Sequence, residues 1–183
     1  MKPDKFTAKM QEAFNGATDI ASGLGQQEIG NEHFLLALLA QSEGLTRPLL
    51  EKMGVSVGPF ITKLESAAAS LSKVHGGAQP FVGNELRKTI DAAEEEMAKL
   101  KDEFLSAEHY LLAISQEKSA AARLLQDSGI THQGLMKALV EVRGSQRVTD
   151  QNPEGKYQTL EKYGRDITAV SYTHLTLPTK RIV

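Results

Sequence analysis

Two Glu-His pairs, Glu32-His33 and Glu108-His109, are the residues of this sequence best suited to chemistry. Two imidazoles and two carboxylates would suit a transition metal if all four converged on one ion. Adjacent helical residues, however, point about 100° apart, so both members of a pair do not easily face the same ion. The reading the spacing favours is a helix start, where a glutamate sits well at the positive end of the helix dipole. Asn31 and Ser106 stand beside the pairs as caps. No metal ligand is therefore expected. The acidic run Glu94-Glu95-Glu96, followed by Lys99 and Lys101, is expected to be a solvated helix face laced with Glu-to-Lys pairs.

Catalytic motifs are missing. Gly155-Lys156 precedes Tyr157 in a polar stretch, so it makes no phosphate-cradling loop. Gly-x-Ser-x-Gly and His-Glu-x-x-His do not occur. Cysteine is absent, which removes thiolate nucleophiles, zinc-thiolate sites and disulfides. No catalytic residue and no cofactor is expected in these 183 residues. Lys+Arg 21 against Asp+Glu 23 is too balanced for a nucleic-acid binder that works by phosphate attraction. Aromatic residues make up 5%, with no Trp, which argues against stacking platforms. The apolar stretch Phe34 to Ala40 is far short of the roughly 20 residues that span a bilayer. A cytoplasmic protein with no nucleic-acid or membrane partner is the expectation.

The elements that must carry the Glu-His pairs are helices. Phe6, Met10, Ala13, Phe14, Ala17, Ile20, Ala21 and Leu24 recur in steps of three and four, and Gly23 and Gly25 supply a stop. A second helix over about Asn31 to Gln41 is apolar nearly all round, which predicts the centre of a bundle. A short third helix near Thr46 ends at Gly54, and a fourth covers roughly Val57 to Ser72. His75 to Pro80 reads as a loop. The pattern then restarts with Leu86, Ile90, Ala93, Met97 and Leu100.

It restarts because the chain is duplicated. Glu32-His33-Phe34-Leu35-Leu36-Ala37-Leu38 returns as Glu108-His109-Tyr110-Leu111-Leu112-Ala113-Ile114, at an offset of 76. Leu49-Leu50 with Gly54-Val55 returns as Leu124-Leu125 with Gly129-Ile130, at an offset of 75. The single-residue difference falls in a loop, where it costs little. Four short helices bury a small core alone. The expected fold is therefore all-α, two tandem four-helix repeats packed as one pseudo-twofold domain. It would span residues 1–143, with repeat one at about 1–74 and repeat two at about 82–143. Residues 144–156 read as a flexible linker from their polar composition. Residues 157–168 would lead into a further domain. Residues 169–183 match neither repeat and read as an atypical, non-native tail.

The repeated Glu-His-x-Leu-Leu-Ala-Leu, with Gly-Val or Gly-Ile after a Leu-Leu helix, resembles the Clp N-terminal domain of ring-shaped AAA+ unfoldases. Lys5-Phe6-Thr7, Glu43-Gly44-Leu45 ahead of Pro48, and Leu160-Glu161-Lys162-Tyr163-Gly164-Arg165-Asp166-Ile167-Thr168 are similar to the ClpB branch. The resemblance implies the N-terminal substrate-engaging domain of an ATP-dependent disaggregase. The parent would be a hexamer holding ATP and Mg, working with the DnaK chaperone system on unfolded or aggregated proteins. This chain itself would not be an enzyme. The alternative is an adaptor-protein docking domain of a ClpA- or ClpC-like unfoldase. By the resemblance, Thr7, Asp102 and Glu108 are the substrate-binding candidates. An apolar groove would lie near the fifth and sixth helices, where this chain carries Ala92, Glu96 and His109, smaller or more polar than the family pattern.

Overall fold

In the computed structural model the described residues are 3–73, 79–144 and 146–153. Eight α-helices appear among them, four in each half, after a single 3-10 turn at Pro3–Lys5. The first half holds α1 (Ala8–Gly23), α2 (Asn31–Ala40), α3 (Thr46–Lys52) and α4 (Val57–Ala69). The second holds α5 (Asn84–Leu100), α6 (Ala107–Ile114), α7 (Ala120–Asp127) and α8 (His132–Arg143). The all-helical, duplicated architecture read from the sequence is the one observed.

The apolar patterning dictates which helices are central. In α2 every residue from Asn31 to Leu39 is buried, and in α6 all eight are. Such helices need neighbours on all sides, and a single four-helix unit cannot supply them. Each is therefore enclosed by both repeats. α2 packs on α1 and α4 of its own half and on α5 and α7 of the other. α3 of the first half meets α6 and α8 of the second, as α7 meets α2 and α4. At the pseudo-twofold axis, Phe34 and Tyr110, which occupy equivalent repeat positions, meet edge to face at 4.8 Å between centroids. The Tyr110 hydroxyl bonds the Asn31 carbonyl oxygen (3.3 Å) and its Oδ1 (3.2 Å), so a phenol sits in the core with its polar atom satisfied.

Two short parallel pairings complete the joint, and neither has a sequence signal. β1 (Glu28–Ile29) pairs with β2 (Phe81–Val82), aligning Ile29 with Val82. Phe6 pairs with Leu105. Adding the repeat offset of 76 to Phe6 and Ile29 gives Val82 and Leu105, so each half lends a strand to the other in the same way. The Gly83 N–H donates to the Ile29 oxygen (3.0 Å), as Thr7 N–H donates to Leu105 (2.9 Å).

The chain-reversing positions follow the duplication too. Gly54 (φ 81°) and Gly129 (φ 79°) close α3 and α7. After the first helix of each half, Gly25 has φ 71° but its counterpart is Lys101, at φ 57°. A side chain there strains the backbone. We expect Lys101→Gly to stabilise the domain by about 0.5–1 kcal/mol, read as a raised urea midpoint with an unchanged m-value.

The expected linker is different over its described part. Residues 146–153 lie against the domain. Val148 is fully buried, its carbonyl accepts from Glu103 N–H (2.9 Å), and the Gln151 carbonyl accepts from Ala8 N–H (2.8 Å). Polar composition read as freedom here, but backbone hydrogen bonds and one valine hold the strap down. Residues 157–168 and 169–183 fall outside the described residues.

Candidate functional site

The Glu-His pairs do stand at helix starts, Ser106 is the N-cap residue of α6 as expected, and in both halves the histidine reaches back to complete the cap. His33 Nδ1 accepts from Gly30 N–H, and His109 Nδ1 from Ser106 N–H, both at 3.0 Å. Each imidazole thereby satisfies an orphan donor beside its helix start. Gly30, not Asn31, is the N-cap residue of α2; Asn31 turns instead to Thr89 (3.0 Å) and Tyr110. Because Nδ1 accepts, Nε2 carries the proton. His33 Nε2 meets Gln26 Oε1 at 2.6 Å and His109 Nε2 meets Asp102 Oδ2 at 2.9 Å. Both nitrogens of both rings are committed to the fold, so neither ring offers a lone pair to a metal. Among the described residues no group of three or more metal-ligating side chains is placed to hold an ion.

Gln26 and Asp102 are equivalent in the repeat, and their difference builds the site. Gln26 donates to the carbonyls of Ala68 (2.8 Å) and Leu71 (3.1 Å) at the end of α4. At the position equivalent to Ala68 stands Arg143, at the end of α8. Arg143 Nη2 donates to Asp102 Oδ1 (2.5 Å) and Oδ2 (2.7 Å). The Val148 N–H adds a bond to Oδ1 (2.9 Å). Burial alone would raise the Asp102 pKa. The hydrogen bonds from His109, Arg143 and Val148, with the Arg143 charge, outweigh it and hold the carboxyl below its ordinary value. Arg143 Nη1 also lies 3.6 Å from Glu108 Oε1. Glu108 is fully buried, and neither of its oxygens has a hydrogen-bond partner among the described residues.

This node joins α5, α6, α8 and the strap, and beside it the surface opens. Leu100, Met136, Leu139 and Val140 line a groove of about 190 Å³, with Arg143, Gly144, Gln146 and Arg147 completing its wall. A shallower hollow of about 390 Å³ continues over Met136, Lys137, Val140 and Glu141. Val140 is 62% exposed, one of only two large apolar side chains so exposed among the described residues. The strap is thus a wall of the groove, and Asp102 joins the backbone bonds and the buried Val148 in holding it.

Of the sequence-predicted residues, Asp102 and Glu108 come together around Arg143. Thr7 does not join them. It caps α1, its Oγ1 accepting from Met10 N–H at 3.3 Å. The side chains of all three are buried. His109 and Glu96 also lie inside rather than on a groove. Glu96 is no solvated residue: it bonds Lys99 (2.8 Å), Gln116 (3.3 Å) and His132 (3.3 Å), tying α5 to α8. Sequence reasoning missed Arg143, Val148 and the α8 lining. The available signal was the repeat itself, which sets Arg143 against Ala68 and Val140 against Glu65.

Residues 5–128 match the family described as the Clp repeat (R) N-terminal domain. The chain belongs to that family. Among its relatives, Chaperone protein ClpB 1 of Thermosynechococcus vestitus is 38% identical over 169 residues, covering 92% of this chain and 19% of that protein. Chaperone protein ClpB of Bacillus cereus is 39% identical over 173 residues, with 92% and 20% covered. This Clp domain therefore spans about a fifth of the curated relatives it matches. The fold agrees with the Hsp104 N-terminal domain from Candida albicans, at a TM-score of 0.70 and 18% identity, covering 82% of this chain and 99% of that one. It also agrees with the N-terminal domain of the ClpV1 ATPase from E. coli EAEC, at 0.67 and 19%, covering 82% and 91%.

Two outcomes follow, one for the Asp102 node and one for the His33 cap of repeat one. Removing one partner of a buried ion pair strands the other, so Asp102→Ala should cost about 3–5 kcal/mol in urea unfolding and strip the Val148 amide of exchange protection. Burial lowers the His33 pKa. As pH falls below about 6.5 the unfolded chain takes up this proton before the folded one. Stability contributed by neutral His33 is thus present above pH 6.5 and lost as pH falls toward the folded midpoint. NMR titration should place that midpoint below 6.5; a value at or above it would contradict the assignment.

Proposed function

We propose that this domain engages unfolded or aggregated polypeptides for a ClpB-like, ATP-dependent disaggregase and passes them to the parent's ATPase rings. That parent would be a cytoplasmic hexamer working with the DnaK system. The observation that carries the reading is the open groove whose apolar floor is Leu100, Met136, Leu139 and Val140. An apolar groove suits side chains that unfolding exposes, and modest area suits release of the cargo. The ClpB relatives support this branch over adaptor docking for a ClpA- or ClpC-like unfoldase.

In this reading Thr7, Asp102 and Glu108 are positioning residues. Asp102 and Glu108 hold Arg143 and, through Asp102, the strap that walls the groove. Thr7 fixes the start of α1 against Leu105, three residues beyond Asp102. They shape the surface without touching cargo.

Titration of the isotopically labelled chain with a reduced, alkylated model protein should shift the amides of Leu100, Met136 and Val140. Val140→Gln should weaken binding by about three- to tenfold, since only part of one valine is covered. Its stability should stay within about 0.5 kcal/mol, as for other exposed substitutions. Shifts confined to other faces would overturn the reading.

A further inference from the structure

The charged residues lining the groove do not cancel. Four of them take part: Arg143, Arg147, Lys137 and Glu141. Arg143 is committed to Asp102 and Glu108 behind the wall. Glu141, the one acid, is paired with Lys52 at 3.2 Å. Lys137 and Arg147 are exposed, and neither is in an ion pair with a described residue. An occupant thus meets an apolar floor with a cation on α8 at one side and a cation on the strap at the other. Repeat one has no such arrangement: its counterparts of Met136, Leu139 and Val140 are Ile61, Leu64 and Glu65, so an acid stands where the floor would be.

We propose that the groove selects short apolar segments flanked by carboxylates. The inference rests on the groove being the polypeptide site and names the class of segment it takes. One or two aliphatic side chains fill the 190 Å³ between Leu100, Leu139 and Val140. Met136 adapts to their shape. The flanking carboxylates meet Lys137 and Arg147, which as rim charges act over the range set by salt screening. A lysine-flanked segment of equal hydrophobicity brings like charges to the same rim and is disfavoured.

The test uses the full 183-residue chain and three peptides sharing a Leu-Val-Leu centre, flanked on both sides by Glu, Gln or Lys. We expect shift changes at Leu100, Met136 and Val140 in the order Glu, Gln, Lys. Each step should be worth about three- to tenfold in Kd at low salt and shrink toward parity near 0.5 M salt. The double variant Lys137→Glu with Arg147→Glu should reverse the order. Equal affinities at the groove would overturn the charge selection and leave the groove standing. Shifts away from the groove would overturn both. Concentration-dependent shifts at Val140 without peptide would make this face a contact between copies of the chain and overturn the proposal.

Discussion

The structure depends on one constraint: α2 and α6 are apolar on every side and cannot be covered within one repeat. Enclosure of α2 takes α1 and α4 from its own half and α5 and α7 from the other. The same need, mirrored about the Phe34–Tyr110 contact, closes the second half. Exchange of the short strands follows, because Phe6 and Val82 each lie where the opposite half begins its central helix. Duplication is therefore what makes helices of eight and ten residues stable at all.

Within that symmetric frame the two halves diverge at a pair of touching buried positions, Gln26 and Ala68 in repeat one against Asp102 and Arg143 in repeat two, and the divergence shapes the groove. Gln26 closes repeat one with neutral hydrogen bonds to backbone. Asp102 closes repeat two with a charge that requires Arg143. A buried carboxylate with four hydrogen bonds specifies a geometry more sharply than apolar packing does. It fixes the end of α8 and the strap together. The strap so held is one wall of the groove.

The duplication, the helices and their order were legible because burial imposes a period on apolar residues that survives in the string of letters. Glu32-His33 and Glu108-His109 were legible as helix starts, though not the reversal by which the imidazole, rather than Asn31, does the capping. Strands of two residues have no period to read. Glu96 looked solvated because its partners, His132 and Gln116, lie 36 and 20 residues away. The strap looked free because one valine and a few backbone bonds hold it, and composition weighs neither. The groove itself is a shape between α5, α8 and the strap, written in no single segment.

The duplication also supplies the most direct test, since position 65 in repeat one is the built-in control for position 140. A photo-crosslinking side chain placed at Val140 in one variant and at Glu65 in another, each mixed with an unfolded polypeptide, compares two exposed sites on equivalent helices. A polypeptide site on the α8 groove predicts crosslinked polypeptide from position 140 and little from position 65. Equal yields, or a higher yield from position 65, would contradict it.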